Sequence, residues 1–474
     1  MRGREAWSAT PGSELLPAKP LILVVIDGLT PSMLERAVET GLPALSALAE
    51  VGTYGRATST FPSLTPVCLS SIATGAHPDV HEIPHLVWYH RGERRLVEYG
   101  SSFGAIRAAG TRRSILDSIF NMNAEHLGSR AVTIYEALED AGLTTAAVNM
   151  TCYRGRVEHR PLVPGFGRVA YGPKRFFYYS LFESDRTGAP IAIRNRALGS
   201  VDAYAAIVGR WLVTRDGFDF LVHYLPDYDF ASHAAGPDAA DAALARSDAA
   251  VGALIEAAGG TDEFLDRYAV LLVADHGQTH VERAVRLQES FADHRLFGRG
   301  RTDAELAVTA SNRAGMVYVL PGSRAEPREL AEGLDGNDAV GAVIFLEGGE
   351  AVLRREREEL RFAPGADGWR THGDESLAAD YPDALARVWA ALHDPNAGEL
   401  MVSAAPGVEF ADLAGRHHAG GGSHGSLTEG DSLVPVLAVG VDAAPASIVD
   451  VAPAVLAHFG VDAPAYARPV VRAA

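Results

Sequence analysis

The chain has 474 residues but only two cysteines, Cys68 and Cys152. Two cysteines are too few for a disulfide framework, and they lack the spacing of a zinc ribbon. Long apolar runs are also missing, since LILVVI at residues 21–26 is too short for a signal sequence or a membrane span. We therefore expect a cytoplasmic protein with no membrane partner and a short flexible leader at residues 1–19.

Basic side chains are also fewer than acidic ones. The sequence has 42 Lys and Arg against 60 Asp and Glu, which gives a formal net charge of −18. A surface of this sign excludes a nucleic-acid polymer as the main partner. A small anionic substrate would need local positive charge from a metal or an arginine pocket. The composition does not indicate an oligomeric state.

Short β-branched, apolar segments alternate along the chain with alanine-rich segments of helical periodicity. The predicted strands are residues 21–26, 144–150, 218–225, 268–274 and 433–440. Near-continuous apolar strands separated by helices are typical of a sheet buried on both faces. The pattern predicts an α/β fold with a mostly parallel central sheet and helices on both faces.

Acidic residues and histidines follow three of these strands. Asp27 follows the first, Asp229 and His233 follow the third, and Asp275 and His276 follow the fourth. Ligand sites in such sheets gather at the carboxyl ends of the strands. Carboxylate and imidazole ligands without thiolate are typical of catalytic zinc or a similar divalent ion. Two ions with roughly three protein ligands each would need one residue more.

The loop before the last predicted strand offers the sixth ligand. It contains the sequence GGGSHG, and its glycines allow the backbone to approach an ion closely. We choose His424, at the centre of this segment. His417 and His418 are competitors that we expect to be surface loop histidines.

Five motifs, in order along residues 20–460, resemble the alkaline phosphatase superfamily. They are Asp27, the Thr-containing segment 58–83, DFASH (229–233), ADHG (274–277) and GGSHGS (421–426). Within this superfamily the set is most similar to the type I phosphodiesterase and nucleotide pyrophosphatase branch. The resemblance implies a phosphoric ester hydrolase with two divalent ions, zinc by preference. One ion would be held by Asp229, His233 and His424, and the other by Asp27, Asp275 and His276.

The same resemblance assigns the nucleophile to Thr65, which would form a phosphothreonine intermediate. Pro66 suits a first helical position, and a helix N-terminus favours a bound phosphate. The alternative role for Thr65 is that of an ordinary helix N-cap. We expect Thr65 to be both the nucleophile and the N-cap. Ser63 is the second candidate. Cys68 lacks the following Pro and Arg of a sulfatase motif and is expected to be a packed thiol.

One position departs from the family pattern. Nucleotide pyrophosphatases bind a phosphate oxygen through an Asn, and the comparable position here is Leu86. The missing contact would come from His85, Asn123 or an arginine. The segment 152–182 is rich in arginine and aromatic residues, which suits an aryl or base group and a phosphate. From it we select Arg154 and Tyr178 as substrate-binding candidates, while the alternative is a cap with its own small core.

The predicted domains follow from these motifs. Residues 20–282 and 416–474 form the catalytic core with a cap segment at 152–200, and residues 283–415 form an inserted α+β lobe. The expected partner is a small phosphorylated substrate. The alternative function is a phosphomonoesterase or phosphonate hydrolase on the same site. A non-enzymatic protein that binds a phosphorylated ligand is a third hypothesis, which the complete ligand set disfavours.

Overall fold

The computed structural model describes residues 18–163, 167–184, 200–215, 217–298, 301–442 and 444–467. The predicted leader lies outside these residues apart from its last two. Residues 164–166 and 185–199 of the predicted cap segment also lie outside them. Within the described part of the chain, no helix combines the length and apolarity needed to cross a bilayer.

An eight-stranded sheet forms the centre of the larger part of the molecule. Across the sheet, the strands are Thr53–Thr58, Leu433–Val439, Ala269–Val273, Leu21–Ile26, Phe220–Leu225, Thr145–Val148, Arg175–Tyr178 and Phe182–Glu183. The five strands from Ala269–Val273 to Arg175–Tyr178 are mutually parallel. Leu433–Val439 is antiparallel to both of its neighbours, and Phe182–Glu183 is antiparallel to its own. The predicted mostly parallel sheet is confirmed.

Helices surround this sheet because its central strands are apolar along their whole length. Every residue of Leu21–Ile26, Phe220–Leu225 and Ala269–Val273 is buried. Strands buried on both sides require apolar helix faces above and below. The main helices are Pro31–Glu39, Pro43–Val51, Thr65–Thr74, Ile134–Asp140, Val201–Val213, Asp227–Ala235, Asp241–Ala258, Thr261–Arg267 and Val451–His458.

A second, antiparallel sheet of seven strands forms a smaller lobe. In spatial order its strands are Leu306–Ser311, Ala314–Val319, Leu400–Ala404, Val340–Glu347, Glu350–Arg355, Glu358–Gly365 and Gly368–Gly373. Alternate residues of one strand enter different cores, with Ile344 on one face and Val343 and Phe345 on the other. All seven strands lie inside the predicted insertion 283–415. The exact domain boundaries stay a prediction.

Arg313 joins the smaller lobe to the rest of the molecule. It lies in the hairpin between the first two lobe strands, and its side chain is 1% exposed. The guanidinium forms an ion pair with Asp431 at 2.8 Å and donates to the carbonyls of Val408 and Ala405 at 3.1 Å each. Because both charges are buried, removing one partner leaves the other uncompensated.

Replacing Arg313 with methionine is expected to lower the free energy of unfolding by about 3–5 kcal/mol. The matched control is Arg36→Met, because the Arg36–Asp241 pair has a similar length of 2.9 Å but is about half exposed. That variant should lose less than about 1 kcal/mol. Urea unfolding of both variants measures the difference, and equal losses would show that Arg313 does not fix the lobe.

Candidate functional site

The six residues predicted as metal ligands lie at one edge of the central sheet. Leu21–Ile26 is flanked by Phe220–Leu225 and Ala269–Val273, so these three parallel strands end side by side. Asp27, Asp229 and Asp275 follow these ends directly or within one helical turn, and all three are buried. The rule that ligand sites form at strand carboxyl ends therefore applies here.

The turn after the first strand is fixed by Asp275. Its Oδ1 accepts hydrogen bonds from the backbone amides of Gly28 at 3.2 Å and His276 at 3.0 Å. Gly28 has φ +68°, and a Cβ there would lie 2.8 Å from Nε2 of Gln278. Both the backbone conformation and the lack of space therefore require glycine next to Asp27.

Helix Asp227–Ala235 presents two of the predicted ligands on one face. Asp229 and His233 are four residues apart, and Oδ2 of the former lies 3.3 Å from Nε2 of the latter. Asp227 points elsewhere. It accepts hydrogen bonds from Ser200 Oγ at 2.6 Å and from the amide of Val201 at 3.1 Å, at the start of the helix Val201–Val213. Asp227 therefore holds the start of that helix and does not belong to the ligand cluster.

His424 reaches the same edge from a loop. The strand that follows it, Leu433–Val439, is antiparallel to Ala269–Val273, so its amino end lies beside the carboxyl ends of the parallel strands. Nε2 of His424 is 3.8 Å from Oδ1 of Asp229, and its ring stacks on that of His276 at 3.6 Å. At Gly421 a Cβ would collide with the backbone oxygen of His233.

The ligand atoms form two groups. Asp229, His233 and His424 make one, and Asp27, Asp229 and His276 make the other, with all ligand atoms of a group within 4.8 Å of one another. Asp275 lies next to the second group, because its Oδ2 is 3.4 Å from Nε2 of His276. The structure thus brings all six predicted ligands together and places Asp229 between the two groups.

All three histidines are oriented in the same way. The Nδ1 atom of each lies at hydrogen-bond distance from a backbone carbonyl oxygen. The pairs are His233 with Gly422 at 2.8 Å, His276 with Gly277 at 3.0 Å, and His424 with Ser63 at 2.7 Å. A carbonyl only accepts, so Nδ1 carries a proton and Nε2 faces the carboxylates. This is the arrangement of histidines that bind metal through Nε2.

The buried carboxylates leave negative charge without full compensation. Burial raises the pKa of Asp27 well above its ordinary value, and the nearby Asp275 and Asp229 raise it further. Burial also raises the pKa of Asp275. Oδ1 of Asp27 and Oδ2 of Asp275 are buried without a hydrogen-bond partner among the described residues. Divalent cations would satisfy both atoms, and so the residues present fit a metal centre.

Thr65 lies beside these groups. It is the first residue of helix Thr65–Thr74, and its Oγ1 is 3.1 Å from Nε2 of His276. The expectation that Thr65 also caps the helix is wrong, because Leu64 occupies the N-cap position. The Thr65 hydroxyl is therefore free of a capping role. Ser63, the second candidate, is buried and donates its hydroxyl to the carbonyl of Ser426 at 2.9 Å.

Cys68 is a packed thiol on the buried side of this helix, as expected. Its side chain is fully buried and its Sγ lies 3.2 Å from the Ser59 hydroxyl. Burial raises the pKa of the Cys68 thiol to about 12. A thiol with this pKa is neutral at physiological pH and is not a nucleophile.

A cavity of about 490 Å³ opens in front of Thr65 and the two ligand groups. The cavity wall, meaning the lining residues that are not predicted ligands, also contains Ser101, Ser118, Thr151 and Asn312. Its large aromatic and apolar side chains include Leu86, Tyr99, Met122, Tyr178, Tyr179 and Phe230. None of the described residues that line the cavity is Lys or Arg. The cavity therefore combines a polar end with an uncharged wall.

The four predicted substrate contacts have different surroundings. Tyr178 lines the cavity, whereas the other three do not belong to its described lining. Oδ1 of Asn123 accepts from the amides of Tyr153 and Arg154. The Arg154 guanidinium donates to the carbonyls of Leu127, Gly128 and Ala131. His85 is fully buried, and burial lowers its pKa to about 4.

Sequence reasoning missed several residues around the site. Tyr224 donates to Asp27, and Gln278 donates to Asp229. His418 was expected at the surface, but its ring stacks on His233 at 4.0 Å and its Nδ1 bonds Glu409 at 2.7 Å. Asn312 reaches the cavity from the smaller lobe. In the sequence, the only indication that Tyr224 and Gln278 belong to the site was their position close to predicted ligands. Nothing in the sequence indicated Asn312.

Solved structures with the same fold span nearly the whole chain. Phosphonoacetate hydrolase from Sinorhizobium meliloti 1021 is 19% identical with a TM-score of 0.60, covering 93% of this chain and 96% of its own. Murine ectonucleotide pyrophosphatase / phosphodiesterase 5 is 13% identical with a TM-score of 0.60, covering 94% and 96%. The human counterpart is 14% identical with a TM-score of 0.58 and the same coverage. These likenesses show that the chain shares their fold.

Comparison with curated proteins by sequence found no significant match. The family model described as type I phosphodiesterase / nucleotide pyrophosphatase matches residues 21–427. This range includes the three strand ends, Thr65 and the His424 loop. The chain therefore belongs to the type I phosphodiesterase / nucleotide pyrophosphatase family.

Proposed function

We propose that this protein is a metal-dependent phosphodiesterase that acts through a phosphothreonine at Thr65. Family membership supports a phosphoester hydrolase as the general class. The observation that carries the finer proposal is the position of the Thr65 hydroxyl, 3.1 Å from Nε2 of His276 and next to both ligand groups. A cavity in front of this hydroxyl gives a substrate access.

The proposed metal ligands are Asp229, His233 and His424 for one ion and Asp27, Asp275 and His276 for the other. The donor set of carboxylates and imidazoles suits zinc. When bound, such ions lower the pKa of a neighbouring hydroxyl and neutralise charge that develops on phosphoryl oxygens.

The residues of the chain supply the nucleophile and its position. The Thr65 hydroxyl releases its proton to solvent, and its Oγ forms a bond to phosphorus while the bond to the leaving ester oxygen breaks. That oxygen keeps the electron pair and takes a proton from solvent. Water then forms a bond to phosphorus as the bond to Thr65 Oγ breaks, and a proton from the water restores the Thr65 hydroxyl. The N-terminus of helix Thr65–Thr74 is the positive end of the helix dipole, which favours the anionic phosphoryl group.

The cavity wall favours a diester over the alternatives. A phosphomonoester carries two negative charges and phosphonoacetate adds a carboxylate, whereas a diester carries one. The described lining offers aromatic and apolar side chains, without Lys or Arg, for the rest of the substrate. Such a wall binds an aryl or nucleoside group by stacking. It leaves a second negative charge on the substrate without a compensating positive charge.

The structural relatives are compatible with this chemistry. One solved structure is an inactive variant of murine ectonucleotide pyrophosphatase / phosphodiesterase 5, with a threonine replaced by alanine, in complex with AMP. The Sinorhizobium enzyme was solved with phosphonoformate and with phosphonoacetate. The complex with phosphonoacetate keeps phosphonate hydrolysis as the alternative function.

A substrate panel tests the proposal. The zinc-loaded full chain is assayed with bis(4-nitrophenyl) phosphate, 4-nitrophenyl phosphate, a dinucleotide and phosphonoacetate. We expect kcat/KM for a diester to exceed that for the monoester and the phosphonate by at least about tenfold. Preference for the monoester or for phosphonoacetate would replace the proposal with the corresponding alternative. Zinc binding without turnover of any substrate would support a protein that only binds phosphorylated ligands.

A further inference from the structure

The cavity lacks a side-chain donor at the position where related nucleotide pyrophosphatases carry an Asn. Leu86 stands there and lines the cavity with an apolar side chain. An amide nevertheless reaches the same cavity from another part of the fold. It belongs to Asn312, at the hairpin between the lobe strands Leu306–Ser311 and Ala314–Val319.

The backbone around Asn312 is held firmly against the site. Its carbonyl accepts from the amide of Phe410 at 2.7 Å, and the next amide, of Arg313, donates to the carbonyl of His424 at 2.8 Å. Asn312 has φ +57°, a conformation that Asn tolerates better than most residues. The residue is 6% exposed. The hairpin is therefore connected directly to the loop that carries His424.

Hydrogen bonds also define which way the amide faces. The Ser311 hydroxyl donates to Oδ1 of Asn312 at 2.9 Å. The Nδ2 group consequently points toward the site, where it lies 3.0 Å from Nε2 of His424. If that Nε2 is a metal ligand, it no longer accepts, and the amide needs another acceptor. An anionic oxygen of a substrate in this cavity supplies one.

We propose that Asn312 donates a hydrogen bond from Nδ2 to a phosphoryl oxygen of the substrate, in place of the donor that Leu86 cannot provide. This inference rests on the proposed phosphoester hydrolysis at Thr65. It makes the smaller lobe a contributor to the site, since the donor comes from the lobe and the nucleophile from the core. It also assigns to one neutral amide the role for which the sequence suggested His85, Asn123 or an arginine.

The test compares Asn312→Gly, Asn312→Asp and the control Asn337→Gly in the zinc-loaded full chain. Glycine accepts the positive φ, so the first variant removes the amide without backbone strain. Asp keeps the size and the tolerance of this φ but replaces the donor with a negative oxygen. Asn337 lies in the same lobe, and its side chain bonds Ser290 and the amide of Ala339. Zinc content, diester kinetics and calorimetric binding of inorganic phosphate are measured for each.

We expect Asn312→Gly to lower kcat/KM about 10²-fold and to weaken phosphate binding about tenfold, with zinc content unchanged. Asn312→Asp should be at least as slow, and Asn337→Gly should match the wild type. Activity of both Asn312 variants within about threefold of wild type would overturn the inference. Loss of zinc in both would also overturn it, because Asn312 would then support His424 instead. A wild type that hydrolyses no phosphoester is a different result, since it removes the proposed function itself.

Discussion

Replacing Thr65 with alanine is expected to lower kcat for phosphodiester hydrolysis by at least about 10⁴-fold, because the nucleophile is lost. Both metal ions should stay bound, since Thr65 is not among the proposed ligands. Thr65→Ser should retain activity through its own hydroxyl. Stopped reactions of the wild type and of the serine variant with bis(4-nitrophenyl) phosphate, analysed by mass spectrometry, should show the phosphoryl group, with its remaining nitrophenyl ester, bound to residue 65 of each protein.

Ser63→Ala is the matched control for the nucleophile. Ser63 lies two residues earlier but donates its hydroxyl to the Ser426 carbonyl inside the protein. Its loss should cost about 1 kcal/mol of stability and leave the chemical step intact. Full activity of Thr65→Ala, or phosphate trapped on Ser63, would remove Thr65 from the proposed role.

Removal of the metal ions is expected to abolish hydrolysis and to lower thermal stability. Without cations, the carboxylates of Asp27, Asp229 and Asp275 repel one another in a buried site. An ion present at a thousandfold excess over its Kd adds about 4 kcal/mol to the stability of the folded state. Dialysis against a chelator followed by zinc addition, monitored by calorimetry and by diester turnover, measures both effects. Unchanged stability and activity after verified metal removal would contradict the two-metal site.

Asp229→Asn is the sharpest variant for the same question. Asp229 belongs to both ligand groups, so neutralising it should reduce bound zinc and lower activity by several orders of magnitude. Asp227→Asn is the control, because it makes the same change one half-turn earlier in the helix. Asp227 accepts from Ser200 at one carboxylate oxygen and from Val201 at the other. An amide keeps one of these contacts, so Asp227→Asn should lose some stability but no zinc. Equal zinc content in both variants would show that Asp229 is not a ligand.

The sequence was sufficient to predict the fold class and the clustering of the six proposed ligands at one edge of the sheet. Apolar strands such as Leu21–Ile26 form the interior of a sheet because that position removes the apolar surface of their side chains from water. In parallel strands the residues that follow each carboxyl end must meet at one edge, so Asp27, Asp229 and Asp275 were expected to lie together. The cytoplasmic location and the domain boundaries stay predictions.

Which side chains form the cavity wall depended on tertiary structure. Asn123 and Arg154 have the chemistry of phosphate binders, but nearby backbone groups use their hydrogen-bonding capacity. Local sequence does not specify which buried amide or carbonyl a long polar side chain will satisfy. That choice depends on how distant segments pack, and neither residue belongs to the described lining of the cavity.

The sequence by itself determined the chemistry at the strand ends, because a strand's direction and its following residues are local properties. Only the tertiary structure determined which side chains lie opposite the residues at these strand ends. Asn312 follows a strand of a different sheet, more than a hundred residues before His424, and the two side chains meet at 3.0 Å. Their contact depends on the docking of the smaller lobe through Arg313 and Asp431, a long-range ion pair that no local pattern encodes.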